Sequence, residues 1–195
     1  MSHSRIFGIN FNWEKNPDIQ YMDMDTFINQ GFVGHYADYV AEFKSIEELR
    51  DSYQWLRDWA KSWAEATETN GAFTISEPTK VYDENEESET FIAYMTVTFE
   101  GLKDFIRKRF AAIKAFTDTT LESISPLTND IDIDVHLSKL GELVCGDPCG
   151  FYFYDYDDEA WFTDFEFVVY LFNHMRYLSL SELKLRIDGA MDYHF

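Results

Sequence analysis

Asp132, Asp134 and His136 occupy every second position of the segment Asp130-Ile-Asp-Ile-Asp-Val-His-Leu137. On a strand, residues two apart point to one face about 6.8 Å apart, and carboxylates beside an imidazole are donors that suit a divalent ion. A metal-dependent hydrolase is the chemistry such a row could perform, with the remaining ligands coming from a second element, for example Asp130 or His174. The same spacing is also that of any polar strand face, with Ile131, Ile133, Val135 and Leu137 turned to the core, and this is the plainer expectation. The segment is read as a strand whose outer row is solvated or meets a partner, and the hydrolase built on Asp132, Asp134 and His136 is kept as an alternative.

Other catalytic signatures are missing from the sequence. It has no Gly-rich phosphate loop, nucleophile elbow, His-Glu-x-x-His or paired Cys-x-x-Cys. His3, His35 and His194 stand isolated and are given no role. Cys145 and Cys149, in Cys-Gly-Asp-Pro-Cys, fall short of the roughly four ligands of a zinc site and are read as thiols in a reducing compartment. No catalytic residue, metal or cofactor is assigned.

Charge gives a stronger signal. The chain has 16 Lys and Arg against 36 Asp and Glu, a net charge of -20, spread over its whole length. With 46% hydrophobic and 18% aromatic residues it has the apolar surface that acidic disordered chains lack, so it folds. Such charge opposes compaction, and a positively charged partner would give it a use. Residues 115–175 contain thirteen Asp and Glu and a single base, Lys139. Within them, Phe151–Tyr156 and Trp161–Tyr170 read as a hairpin joined by Asp157-Asp158-Glu159-Ala160. Asp155, Asp157, Asp158, Glu159, Asp164 and Glu166 are expected to face outward, and Phe165, Phe167 and Val169 inward. Together with Asp130, Asp132, Asp134, Tyr154 and Tyr156 these carboxylates form the expected partner-binding surface, and Tyr152 and Phe162 would add aromatic contact area.

Duplex DNA carries about one negative charge per 1.7 Å of axis, and a chain of this length is about 40 Å across by the usual scaling. Its excess charge is therefore about that of one turn of DNA. In composition and size the chain resembles the DNA-mimic proteins of phages and mobile elements, which block restriction enzymes, CRISPR effectors or other DNA-binding proteins. That resemblance implies a non-enzymatic inhibitor whose partner is a basic protein with a nucleic-acid-binding groove. An immunity protein neutralising a basic nuclease toxin would need the same surface. Direct binding of nucleic acid is not expected, because the one basic cluster, Lys103, Arg107, Lys108, Arg109 and Lys114, reads as internal counter-charge.

These residues must be positioned by a scaffold whose elements are partly legible. Phe7, Ile9, Phe11 and Trp13 alternate with polar residues over 5–13, as in a strand. A short helix is expected near Asp25–Gln30, ending at Gly31, and a strand at 35–43. Ser45 and Glu48 make a capping box that opens a helix to about residue 68, with Trp55, Trp59 and Trp63 along its apolar edge. Ala72–Ile75 and Thr90–Phe99 read as strands flanking an acidic loop, 83–89. A second amphipathic helix follows at 102–124, and Ser179-x-x-Glu182 is expected to cap a closing helix that ends at Gly189. The class is α+β, a single acidic domain over 1–195: a mainly antiparallel sheet covered by two longer amphipathic helices, with an acidic, aromatic-rich hairpin near the C-terminus. Neither a secretory signal nor a membrane span is read, and a cytoplasmic protein is expected.

Overall fold

The computed structural model describes residues 3–22, 24–35, 37–67, 72–83, 87–124, 130–145 and 150–194, in backbone only at 62–67, 83, 119–124 and 130–136. Among these residues the chain runs β1 (His3–Asn10), α1 (Met24–Asn29), β2 (Tyr39–Ala41), α2 (Ile46–Thr67), β3 (Phe73–Ile75), β4 (Thr79–Asp83), β5 (Ser88–Thr98), α3 (Phe99–Ile124), α4 (Asp130–Cys145), β6 (Tyr152–Asp155), β7 (Ala160–Thr163), α5 (Asp164–Leu178) and β8 (Glu182–His194). The strands form one curled eight-stranded sheet in the order β3-β5-β8-β1-β6-β7, with β2 added to β8 and β4 to β5. The sheet is mixed, because β1 pairs with β6 in parallel while the other strand pairs are antiparallel.

β1 is buried on both faces, which is why its apolar residues do not stop at one row. Phe7 and Ile9 join Tyr53 and Leu56 of α2, Leu102 and Phe105 of α3, and Phe167, Val168 and Leu171 of α5 in the larger core. Ile6 faces the other way, into a smaller core with Phe27 of α1, Phe32, Tyr152, Tyr154 and Tyr193. Each fully buried side chain of this kind is worth about 1.5–3 kcal/mol. The first helix ends as expected, with Gly31 at φ +79°. At the start of α2, Ser45 Oγ accepts from Glu48 N at 3.2 Å.

Three expected elements are different in the structure. The segment 130–137 is not a strand: it opens α4. Trp161–Tyr170 is not one long strand, since β7 ends at Thr163 and Thr163 caps α5. The closing element is not a helix but β8, whose last three residues, 192–194, lie between β1 and β2. Ser179, expected to open a helix, instead closes α5 in the left-handed conformation at φ 57°. β4 was not expected at all, and it lengthens the edge formed by β5.

Candidate functional site

The β6–β7 hairpin is an arm anchored in the sheet. Asp155 pairs with Ala160, and Tyr156–Glu159 turn the chain between them. Side chains fix this turn from within and from below. Asp155 Oδ1 accepts from Asp157 N at 2.9 Å, an Asx-type closure. Asn12, in the loop after β1, donates to Asp157 Oδ2 at 2.7 Å. Glu159 takes the left-handed backbone, φ 49°, that lets the chain rejoin the strand. Asp157, Asp158 and Glu159 are exposed on the tip.

Asp155 is different in kind. It is 1% exposed, and its Oδ2 accepts from Tyr170 Oη at 2.9 Å while Asp158 Oδ2 lies 3.0 Å from the same hydroxyl. Burial raises the Asp155 carboxyl above the ordinary carboxylate range, outweighing the hydrogen bonds that favour its charged form. Burial and then the two carboxylates hold the Tyr170 hydroxyl well above its ordinary value. One hydroxyl has a single proton for two carboxylates, so the buried Asp155 is the place where a second proton is stabilised.

These groups line a groove of about 430 Å³ together with Phe11, Asn12, Glu14, Lys15 and His174. Its floor is aromatic. Phe162 stacks on Tyr170 with ring centroids 4.7 Å apart, and Phe11 meets Tyr170 edge-on at 5.7 Å and His174 at 5.3 Å. Asn12 was missed by sequence reasoning because it joins the hairpin only through the fold, whereas Tyr170 was read as the end of the hairpin's second strand and His174 as a candidate extra ligand of the metal row. Asn12 and Asp157 are 145 positions apart, whereas Tyr170 lies 15 positions from Asp155 and 12 from Asp158.

Of the expected surface residues, Asp157, Asp158 and Glu159 come together on the tip, whereas Asp155 points inward and does not face solvent. Asp164 and Glu166 belong to the first turn of α5. Glu166 Oε2 accepts from Thr163 N at 2.9 Å and Thr163 Oγ1 accepts from Glu166 N at 3.3 Å, a capping box, and Asp164 Oδ1 accepts from Phe165 N at 2.7 Å. Both carboxylates therefore serve a helix terminus. The expected aromatic contact area is largely interior: Tyr152 and Tyr154 are 2% and 4% exposed, while Tyr156 and Phe162 are half-buried. Val169, expected inward, is exposed at 38%.

Asp130, Asp132, Asp134 and His136 lie on α4, and their side chains fall outside the described residues. On a helix, residues two apart are about 200° apart around the axis, so the shared strand face on which the metal reading rested does not exist. Glu84 and Glu86 of the acidic loop, and Cys149, also lie outside the described residues; Cys145 is an exposed free thiol.

The basic residues of α3 are engaged locally. Lys103 pairs with Glu100 at 2.5 Å, Arg107 with Asp104 at 3.1 Å and Lys114 with Asp118 at 2.5 Å. Arg109 donates to Leu143 O at 2.7 Å and Glu142 O at 2.6 Å, where it satisfies carbonyls in the last turn of α4. Thr163 Oγ1 donates to a third, Cys145 O, at 2.6 Å. No helix among the described residues is long and apolar enough to cross a membrane.

Compared with models of protein families, with curated proteins and with solved structures, the chain shows no match.

Proposed function

We propose that this chain is a non-enzymatic acidic inhibitor. Its partner is a positively charged protein with a nucleic-acid-binding groove, to which it presents charge like that of DNA or RNA, in the style of anti-restriction and anti-CRISPR proteins. The observation that carries this reading is the exposed run Asp157-Asp158-Glu159, held on a tip fixed by Asn12 and Asp155 within a stretch, 140–175, that has no Lys or Arg. Carboxylates already ordered before binding avoid the entropy cost of immobilising them on contact. Their negative field also raises the association rate with a basic groove. The local pairing of the α3 bases supports the same reading, because it leaves them poorly placed to hold a phosphate backbone.

The test is capture of proteins from a host lysate on the immobilised chain, washed at two salt concentrations, followed by competition between the chain and labelled duplex DNA for each purified captured protein. The chain should displace DNA from its partner, less effectively at high salt, and should give no gel shift with DNA or RNA on its own. A captured nuclease that is inhibited while its DNA stays bound would point instead to an immunity protein. Specific gel shifts by the chain itself at micromolar concentration would overturn the proposal.

A further inference from the structure

At the far end of the central strands from the hairpin tip, three side chains with no sequence relation meet. His3 on β1 lies opposite His194 on β8, and Tyr39 on β2 lies opposite His194 from the other side. Asp192, two residues before His194 on the same strand, shares their face. His3 Nδ1 is 2.9 Å and His194 Nε2 is 3.3 Å from the same oxygen, Asp192 Oδ2. The three donor atoms all lie within 4.8 Å of one another.

We infer that His3, Asp192 and His194 bind a divalent first-row transition-metal ion, with His3 Nδ1, Asp192 Oδ2 and His194 Nε2 as ligands. The two distances to Asp192 Oδ2 are those that coordination demands: donors about 2.0–2.2 Å from one ion stand about 2.9–3.4 Å apart for angles between a right angle and the tetrahedral value. Two imidazoles with one carboxylate form a donor set that suits zinc, iron or nickel and is poorly matched to magnesium or calcium, which prefer oxygen.

Hydrogen bonding alone serves this cluster badly. His194 Nε2 meets Tyr39 Oη at 2.6 Å as well as Asp192. As a donor it has one proton for two oxygens, and as an acceptor from Tyr39 it turns its lone pair toward a carboxylate. The other ring nitrogen, Nδ1, is buried with no hydrogen-bond partner among the described residues, so no second bond fixes the tautomer. A cation accepts lone pairs from all three ligands at once, which resolves the competition at Nε2 and fixes the proton of His194 on Nδ1.

The scaffold is suited to hold such an ion. Three ligands on two paired strands are fixed by sheet register, and His194 is buried beneath Tyr39, whose ring stacks on it at 4.0 Å. His3 is 57% exposed by side chain, leaving the centre open on one side to a cavity of about 350 Å³ that Glu42, Glu48 and Asp51 also line. Of the two bases there, Arg5 is turned toward α2: it donates to Ser52 Oγ at 3.1 Å and lies over the Trp55 ring at 5.1 Å. The open positions would be filled by water or by an anionic group of a ligand entering the cavity.

The experiment is titration of EDTA-stripped protein with Zn²⁺ by calorimetry and with Co²⁺ by visible absorption, with Mg²⁺ as the control for non-specific attraction to an acidic protein. One equivalent of Zn²⁺ should bind and raise the melting temperature, as expected for a ligand held only by the folded state, and Co²⁺ should develop a d–d band. His3→Gln, at an exposed position, should fold normally and weaken Zn²⁺ binding at least tenfold; Asp192→Asn should abolish the band. His35→Gln and Asp132→Asn should leave both readouts unchanged. Binding that is insensitive to His3→Gln and Asp192→Asn, that follows Asp132→Asn, or that Mg²⁺ matches would overturn the inference, as would no stoichiometric binding at all.

Discussion

The hydroxyl of Tyr156 presses on the backbone of Gly8, so that a Cβ at position 8 would overlap it and the adjoining ring carbons. Tyr156 Oη is buried and has no hydrogen-bond partner among the described residues, and burial holds the phenol well above its ordinary range. The turn after β6 thus rests on β1 through a contact that needs glycine. Gly8→Ala should cost about 1–3 kcal/mol by overpacking. Tyr156→Phe should be neutral or slightly stabilising, since it removes an unsatisfied buried hydroxyl, and it should reduce the cost of Gly8→Ala. Denaturant melts of the two single variants and the double variant check this. An equal cost of Gly8→Ala in both backgrounds would place the clash on the ring carbons, which Phe retains, and not on the hydroxyl.

Asp155 makes stability depend on pH with a definite sign. Its carboxyl is raised in the folded protein, chiefly by burial, so between the unfolded value and the raised folded value the native state binds more protons than the unfolded state. Stability is then highest below the unfolded carboxyl range and falls as pH rises through that window. Asp155→Asn keeps an acceptor for Asp157 N and offers Tyr170 a donor in place of a second carboxylate. It should hold or raise stability at neutral pH and flatten this fall, whereas Asp155→Ala, which leaves Asp157 N unsatisfied, should cost about 1–3 kcal/mol. Melting temperature as a function of pH for the three proteins separates these outcomes.

The two long helices were legible because their apolar residues recur at helical spacing; Tyr53, Leu56 and Ala60 of α2 and Leu102 and Phe105 of α3 join the larger core. The shorter elements of the last third were misread for an identifiable reason. In α5 the buried residues Phe165, Phe167, Val168, Leu171 and Met175 do not form a single narrow stripe, and Phe165, Phe167 and Val169 alone imitate a strand. The Thr163-x-x-Glu166 signature stood in the sequence and marked the true helix start, while the identical-looking Ser179-x-x-Glu182 fell at a helix end. Asp157, Asp158 and Glu159 were found because charge patterning is local. His3 and Asp192, 189 positions apart, were not, because only strand pairing brings them together.

Arg186 and Asp188 form a buried ion pair, 4% and 1% exposed, at the irregularity where β8 slips against β1 between Gly8 and Ile9. Asp188 Oδ2 also accepts from Asn10 Nδ2 at 3.0 Å and Gln20 N at 2.9 Å. Arg186 donates to Pro17 O at 2.8 Å and Asp18 O at 2.7 Å, holding the segment between β1 and α1 onto the sheet. Asp188→Ala should cost about 3–5 kcal/mol, because it strands a buried guanidinium. Arg186→Met combined with Asp188→Met should cost less than that single change. Chemical melts compare the two, and a double variant as unstable as the sum of its parts would contradict the account.

The remaining prediction concerns whether the hairpin tip, or merely the total charge, binds the partner. Asp157→Asn, Asp158→Asn and Glu159→Gln together remove three charges while keeping acceptors for Asn12 and Tyr170. This variant should associate with a basic partner more slowly and with a flatter salt dependence, at unchanged or slightly raised stability because like charges are relieved. The matching control is Asp58→Asn, Glu100→Gln and Asp118→Asn, which makes the same change in net charge at exposed carboxylates. Each of these already sits beside a lysine of its own helix, Lys61, Lys103 or Lys114, so the field it adds at the surface is partly cancelled. Stopped-flow association at several ionic strengths should show a clear loss for the tip variant and a small one for the control. Equal losses would mean that the charge acts as a diffuse field with no preferred site, and no loss in either would remove the basis for the inhibitor reading.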